Sequence, residues 1–180
     1  MSSVSVPLTV NTVRFGVGID TARYGHCAAF LRSDLQPAAP DLTFAESGAG
    51  YTQLRDQLAK LAKCHSHVTF NIRLDAAGQY ADNLFHFLSN LSSHPDLANA
   101  TIRLSCGDPQ RNKNYRSAIF GHKKSDPIEA QAAARFALTE NPKSDNGVSL
   151  SMRTLRQTAG RLLATTRQRT RVINQLHATS

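Results

Sequence analysis

The hydrophobic pattern of this chain changes its period near residue 48, and this change restricts the folds that the chain can adopt. Before that point, short apolar runs at residues 15–19, 26–31 and 41–45 are typical of three strands joined as an antiparallel meander. After it, helices are predicted over residues 51–61, 80–91, 115–120 and 126–138, with strands at 68–74 and 101–105 between them. The sequence therefore predicts a mixed sheet with helices on its faces.

Three antiparallel strands that lead into parallel ones follow the order of the ribonuclease H-like (RuvC-like) fold. We expect an α/β domain of this class over residues 1–140, in which residues 1–12 form a loose arm. The Pro-, Asn- and Gly-containing segment after residue 140 predicts a linker at residues 141–149. Residues 150–180 predict a long basic helix with one apolar stripe, and such a stripe needs a covering partner. The stripe contains Leu155, Ala159, Leu162, Thr166, Ile173 and Leu176.

Acidic residues stand where predicted elements converge. Asp20 ends the first apolar run, and Asp75 ends the run at residues 68–74. Carboxyl ends of strands are where open α/β sheets bind ligands. Asp126 and Glu129, one helical turn apart, share a face of a later helix. Carboxylates gathered at one edge repel each other unless a hard divalent cation neutralises them. The four acids therefore predict a metal site for Mg²⁺ (or Mn²⁺).

Each acid also has a structural explanation. Asp20 could form a turn with its own backbone, and Asp75 could cap the helix that follows it. Asp126 could be a helix N-cap, with Glu129 as the matching first-turn acid. Capping gives no reason for the order of the four acids along the chain, and this order favours a common site.

The predicted metal site suits phosphodiester chemistry. Two divalent ions about 3.5–4 Å apart can activate an attacking oxygen and stabilise a leaving oxygen. Lys123 and Lys124, just before Asp126, could hold a phosphate, or they could belong to a solubilising loop.

The charge of the chain indicates the partner. The net charge is +8, and the last 30 residues contain no acid. A segment of one charge sign and this length is typical of contact with a phosphate backbone, although a solvated helix face is the alternative. The predicted nucleic-acid contacts in this segment are Arg153, Arg156, Arg161, Arg167, Arg169 and Arg171.

Other functional classes find little support. No apolar run approaches the roughly 20 residues that cross a bilayer, and the N-terminus does not resemble a signal peptide. Three widely spaced cysteines suggest small buried or semi-buried residues in a reducing compartment, so a cytoplasmic protein is expected. No Walker loop follows Gly16-Val-Gly18. His26 and His122 are expected to be surface or capped histidines, and His65-Ser-His67 has no matching cluster.

The motifs around the acids resemble those of the DEDD-type transposases of the one-ten insertion-sequence family, which includes the Piv DNA invertase. Gly18-Ile-Asp20 is similar to the family's opening Gly-Ile-Asp, and the segment from Asp75 to Tyr80 is similar to its Glu-x-Thr-Gly-x-Tyr. The segment from Lys124 to Ala130 is similar to its Lys-Thr-Asp-x-x-Asp-Ala, and the resemblance continues to about Leu176.

This resemblance implies that Asp20, Asp75, Asp126 and Glu129 are catalytic metal ligands in a domain that cleaves and transfers DNA strands. It also implies binding of a structured guide RNA and assembly into homo-oligomers. Two positions depart from the family pattern, since Asp75 stands for Glu and Glu129 for Asp. Family members continue into a second domain with a nucleophilic serine, so this chain is expected to be incomplete by itself.

Two other functions compete with a recombinase. One is a non-catalytic module, derived from a transposase, that binds nucleic acid and oligomerises. The other is an actin- or sugar-kinase-like ATPase, which also opens with a strand and an Asp. Such ATPases usually place a Gly-containing phosphate loop after that Asp, whereas Thr-Ala-Arg follows Asp20 here.

Overall fold

A computed structural model describes residues 12–75, 78–145 and 150–178, with the side chains of some of these residues excluded. The chain divides into two compact units, Met1–Asn146 and Gly147–Ser180. The predicted arm falls mainly outside the described residues, as do residues 146–149 of the predicted linker. The assignment of separate roles to the two parts stays a prediction.

The described part of the first unit contains a five-stranded sheet and four helices. The strands are β1 (Val13–Thr21), β2 (His26–Arg32), β3 (Pro37–Phe44), β4 (Val68–Asp75) and β5 (Ala100–Gly107). The helices are α1 (Gly48–Lys63), α2 (Gly78–Leu91), α3 (Pro109–Phe120) and α4 (Asp126–Thr139), with a short 3-10 turn at Pro95–Leu97. In the second unit, the structure describes the helix α5 (Leu150–Ala178).

The sheet has the strand order β3-β2-β1-β4-β5. β1 pairs antiparallel with β2, and β2 pairs antiparallel with β3. β1 pairs in parallel with β4, and β4 with β5. This arrangement confirms the predicted ribonuclease H-like mixed sheet with flanking helices, and the predicted C-terminal helix is present.

The third strand begins earlier than the sequence suggested. Pro37 and Pro40 belong to β3, whereas the predicted strand began at Asp41. β3 is an edge strand of the sheet, where a residue without a backbone N–H removes no hydrogen bond from a central ladder. The pairing of β2 with β3 also shifts its register between Ala28 and Leu31.

The third helix also begins earlier than predicted. Asp108 accepts a hydrogen bond from the backbone N–H of Arg111 at 3.0 Å, and Pro109 occupies the first turn. This cap starts the helix six residues before Tyr115, at the Gly-Asp-Pro sequence that suggested a break. The helix ends at Gly121, whose φ of 66° favours glycine.

Two separate hydrophobic clusters lie in the sheet unit. The larger contains big side chains from the strands and from α1 and α2, among them Phe15, Phe70, Leu54 and Leu84. The smaller consists of β2 and α4 residues of mostly modest size: Cys27, Ala29, Leu31, Ala130 and Ala134, with Leu138 packed against them. Side chains alternate across a strand, so β2 contributes to both clusters. Helix α4 can approach the sheet closely because its contact residues are small.

Several residues differ from the sequence-based expectation. His26 is buried at the start of β2 and pairs with Glu46, so the expectation of a surface position was wrong while that of a capped histidine holds. Cys27 is buried as expected, but Cys64 and Cys106 are exposed. Among the described helices, none has both the length and the apolar character that a bilayer crossing requires.

Candidate functional site

The geometry of the candidate site depends on two glycines in β1. A Cβ atom at Gly18 would lie 2.0 Å from the carbonyl oxygen of Ala130, and one at Gly16 would lie 2.4 Å from that of Ala134. Both neighbours are backbone atoms of α4, so a side chain at either glycine would displace the helix. The Gly-Val-Gly sequence therefore brings α4 onto β1, and Glu129 comes with it.

Three carboxylates from three different elements line one cavity of about 410 Å³. Asp20 comes from β1, Asp75 is the last residue of β4, and Glu129 is in the first turn of α4. Cationic and apolar side chains complete the cavity. The other lining residues are Ile19, Asn112, Lys113, Tyr115, Arg116, Lys124, Ala132, Ala133 and Phe136.

The structure thus brings together three of the four predicted acids. Asp126 is exposed at the start of α4 and does not line the cavity, although its charge acts on Asp20. The alternative that Asp126 caps the helix is wrong, because the N-cap residue is Ser125 and no side chain caps there. Glu129 forms no capping box, since its carboxylate pairs with Arg116.

Asp20 and Asp75 lie within strands, one residue before or at the strand end. Asp20 pairs with Cys27 in the β1–β2 ladder, so it does not form the turn that the structural alternative required. Asp75 accepts a hydrogen bond from Asn112 Nδ2 at 3.2 Å through Oδ1. Its alternative role as a helix cap depends partly on Ala76 and Ala77, which lie outside the described residues.

The crowding of negative charge is expressed at Asp20. The pKa of this carboxyl is raised from 3.8 to about 6, first by burial and then by repulsion from Glu129, Asp126 and Asp75. The positive charge of Lys124 acts against this rise and lowers the pKa of Asp20. The neighbouring acids therefore add to the cost of ionising Asp20, and a bound cation would relieve this repulsion.

The residue types fit a hard divalent cation, since carboxylate oxygens are the ligands such ions prefer. Within residues 12–75, 78–145 and 150–178, however, no three His, Cys, Asp or Glu side chains are already grouped as a metal site. Arg116 supplies part of the reason, because it holds Glu129 in an ion pair. The four acids therefore approach one another without forming a closed set of ligands.

Two lysines lie between α3 and α4. Both are exposed, and Lys124 lines the cavity whereas Lys123 does not. On α5, the side chains of Arg161, Arg167, Arg169 and Arg171 are exposed. The side chains of Arg153 and Arg156 lie outside the described part of the structure.

Sequence reasoning missed four polar residues of this region. Lys113 and Arg116 line the cavity from α3, and Asn112 contacts Asp75. Arg73 lies two residues before Asp75 in β4 and is 3% exposed. The period of two in a strand could have indicated Arg73, because it places residues 73 and 75 on the same face. The α3 residues had no such signal, since their position depends on helix packing.

The family of the chain follows from a comparison with known protein families. A family model described as "Transposase" matches residues 17–179. Among solved structures, RuvC of Thermus thermophilus aligns with a TM-score of 0.45 and 11% sequence identity, covering 73% of this chain and 99% of that chain. No curated protein is significantly similar to the chain. Because the family match spans nearly all of its length, this protein belongs to the DEDD-type transposases of the one-ten insertion-sequence family, and DNA is the class of partner that this membership implies.

Proposed function

We propose that this chain is the catalytic domain of a metal-dependent DNA transposase, which cleaves and transfers DNA strands during insertion-sequence transposition. The observation that carries the proposal is the cavity in which Asp20, Asp75 and Glu129 meet cationic side chains. A carboxylate cluster beside cations can hold both a metal and the phosphate on which the metal acts.

Four residues of this chain would hold Mg²⁺ or Mn²⁺: Asp20, Asp75, Asp126 and Glu129. When bound, such ions activate the attacking oxygen and stabilise the leaving oxygen of a phosphodiester. Asp126 is exposed at the first turn of α4 and does not line the cavity, so it would have to turn toward the other acids to share a metal with them. Glu129 is half-buried and held by Arg116, so it would have to share its carboxylate or release the arginine.

The cations in the cavity have a role on the substrate side of the same reaction. Lys113, Arg116 and Lys124 line the cavity with the three acids, at the place where a DNA phosphate would approach. Arg116 is well suited to this contact because a guanidinium binds phosphate oxygens through two parallel hydrogen bonds. These side chains would orient the phosphate and offset its repulsion by the carboxylates.

Helix α5 supplies a different kind of contact. Its described arginines are exposed along a segment without acids, which suits sequence-independent contact with the phosphates of DNA or of a structured guide RNA. Its exposed apolar side chains suit assembly into a homo-oligomer. Those with the largest exposed fractions are Leu162 (68%), Leu155 (61%) and Leu163 (53%).

Calorimetric titration of the full chain with Mn²⁺, together with a metal-dependent DNA cleavage assay, tests the catalytic proposal. Asp20→Asn should weaken Mn²⁺ binding by more than about 100-fold, because loss of a ligand should cost more than loss of a group that supports one. Asp56→Asn, which removes an exposed acid on α1, is the matched control and should bind as the wild type does. Equal Mn²⁺ binding by wild type and Asp20→Asn would overturn the proposal.

One observation favours the second candidate, a non-catalytic module that binds nucleic acid. The ion pair of Glu129 with Arg116 neutralises one acid of the cavity without a metal. This module would bind DNA in a salt-sensitive way and would cleave no strand in Mg²⁺ or Mn²⁺. The same cleavage assay therefore separates the two functions.

A further inference from the structure

A buried cation lies beside the candidate metal ligand Asp75. Arg73 is 3% exposed near the end of β4, on the same face of the strand as Asp75. Burying a charged group costs free energy unless it is paired or hydrogen-bonded. The contacts of Arg73 therefore have to compensate the cost of burying its charge.

The guanidinium of Arg73 fixes the amide of Asn112. Its Nε and Nη2 donate hydrogen bonds to Asn112 Oδ1 at 3.0 and 2.8 Å. The planar face of the guanidinium stacks on Phe136, with the guanidinium carbon 3.9 Å from the ring centroid. Because two donors bind the amide oxygen, the amide nitrogen of Asn112 must face elsewhere. That nitrogen donates to Asp75 Oδ1 at 3.2 Å.

Gly107 makes room for this chain of hydrogen bonds. It pairs with Asp75 in the parallel ladder of β4 and β5. A Cβ atom at this position would lie 2.3 Å from Asn112 Nδ2 and 2.7 Å from Arg73 Nη2. Any side chain there would displace the amide that contacts the acid.

A role in stability alone accounts for only part of the arrangement. The stacking of Arg73 on Phe136 joins the sheet to α4, and any planar cation could do this. It does not explain why the amide of Asn112 is oriented with its donor on a carboxylate that faces the cavity. A donor on one oxygen restricts the rotation of that carboxylate, which matters most if the group must meet a metal with strict geometry.

We propose that Arg73 and Asn112 are positioning residues that hold the Asp75 carboxylate in place for a divalent cation. Asp75 is one methylene shorter than the Glu of the family pattern, so its reach depends on where its oxygens are held. This inference rests on the proposed metal-dependent function. It adds two residues that would act through Asp75 and not as ligands of the metal.

Mn²⁺ titration of the full chain, carrying Asn112→Ala or Arg73→Met, tests the inference. Each variant should bind Mn²⁺ about 10- to 100-fold more weakly than the wild type, the range seen when the group supporting a ligand is removed. The double variant should bind Mn²⁺ with the same affinity as whichever single variant binds it more weakly, because both residues act through the contact of Asn112 with Asp75. Arg111→Met is the matched control, since Arg111 stacks on the same ring at 5.0 Å, and it should bind as the wild type does.

The thermal midpoint of each variant separates positioning from stability. A purely structural role predicts lower midpoints with unchanged Mn²⁺ affinity, and that result would overturn the inference. If Arg73→Met does not fold, Asn112→Ala still decides, because Asn112 is only half-buried in the first turns of α3. If the wild type binds no Mn²⁺, the proposed function falls together with the inference. If the wild type binds Mn²⁺ and Asn112→Ala binds it equally well, only the inference falls.

Discussion

The sheet unit and helix α5 differ in the environment of their charged side chains. The sheet unit places three carboxylates and the buried Arg73 next to an apolar core, where each charge is shifted or held by named neighbours. In α5, every described side chain is exposed, and residues 151–180 include no acid. Under the proposed function, the sheet unit would hold a confined reaction, and α5 would supply a nonspecific attraction to phosphate.

The largest expected effect is on nucleic-acid binding by α5. Replacing four of its arginines with glutamine should lower the affinity for a DNA duplex by about 100-fold or more at low salt. The dependence of log affinity on log salt should become shallower by about 4, because each lost phosphate contact contributes about 1. The measurement is a salt titration of binding by fluorescence anisotropy. The four positions are Arg161, Arg167, Arg169 and Arg171.

An equal loss of charge from the sheet unit is the control. The matching variant changes four exposed cations to glutamine, and it should retain most of the affinity and of the salt slope. If both variants lose affinity equally, net charge rather than α5 governs binding, and the comparison between the two regions is broken. The control positions are Arg14, Lys60, Lys63 and Arg103.

A smaller but sharp effect is expected from Gly18→Ala in β1. The added methyl carbon would lie 2.0 Å from the carbonyl oxygen of Ala130, so α4 would have to shift away from β1 to relieve the contact. The free energy of unfolding should fall by about 3 kcal/mol, at the upper end for overpacking. Urea denaturation measures the change, and Mn²⁺ titration should show weaker binding because Glu129 moves with α4. Unchanged stability would show that α4 does not rest on β1 as described.

The next effect concerns pH and the buried network around Glu46. Burial acts to raise the pKa of Glu46, but hydrogen bonds from Asn83, Tyr51 and His26 outweigh it and hold the pKa below 4.5. Because the folded-state pKa is the lower one, the ionised carboxylate stabilises the fold above about pH 4.5, and this contribution disappears as pH falls through the folded-state value. Glu46→Gln should lower the thermal midpoint at neutral pH, because the free energy of unfolding should fall by about 1–2 kcal/mol.

The pH dependence of the same variant provides the check. As pH falls from about 4.5 through the lower folded-state pKa of Glu46, the midpoints of wild type and Glu46→Gln should converge, since the wild-type carboxylate then becomes protonated in the folded protein as well. A constant difference across this range would mean that Glu46 does not stabilise the fold through its charge.

The smallest effect has the opposite sign and belongs to α5. A Cβ atom at Gly160 would meet open space among the described residues, so Gly160→Ala creates no clash there. The substitution should stabilise the helix by up to about 1 kcal/mol, because alanine loses less backbone entropy than glycine. Circular dichroism of the full chain should show that, on heating, the variant retains slightly more helix than the wild type. A loss would indicate that another surface packs against Gly160.

Much of the architecture was predictable because it follows from periodicity. The apolar runs at β1, β2, β4 and β5 and the helical spacing of α1, α2 and α4 indicated the right elements in the right order. β3 and α3 were placed too late, because proline argued against a strand and for a break. At an edge strand and at a capped first turn, proline is compatible with the element that contains it.

Some residues of the candidate site were likewise predictable from the sequence, and others were not. Asp20 and Asp75 could be assigned to one edge, since parallel strands end together, and Glu129 followed from its helix. The place of Asp126 outside the cavity could not be predicted, because two acids on the same helix face can meet different neighbours once the helix packs against the sheet. Arg116 and Asn112 had no local signal, since each meets its partner only after α3 packs beside the sheet.

The sequence by itself determined the order of strands and helices, the family of the chain and the separation of an acid-bearing sheet unit from a basic helix. These depend on the period, the local motifs and the charge of neighbouring residues. Only the tertiary structure decided which acids share a cavity and which cations lie beside them. It did so because the missing side chains of Gly16 and Gly18 let α4 approach β1, and contacts between residues far apart in the chain carry no mark in the local pattern.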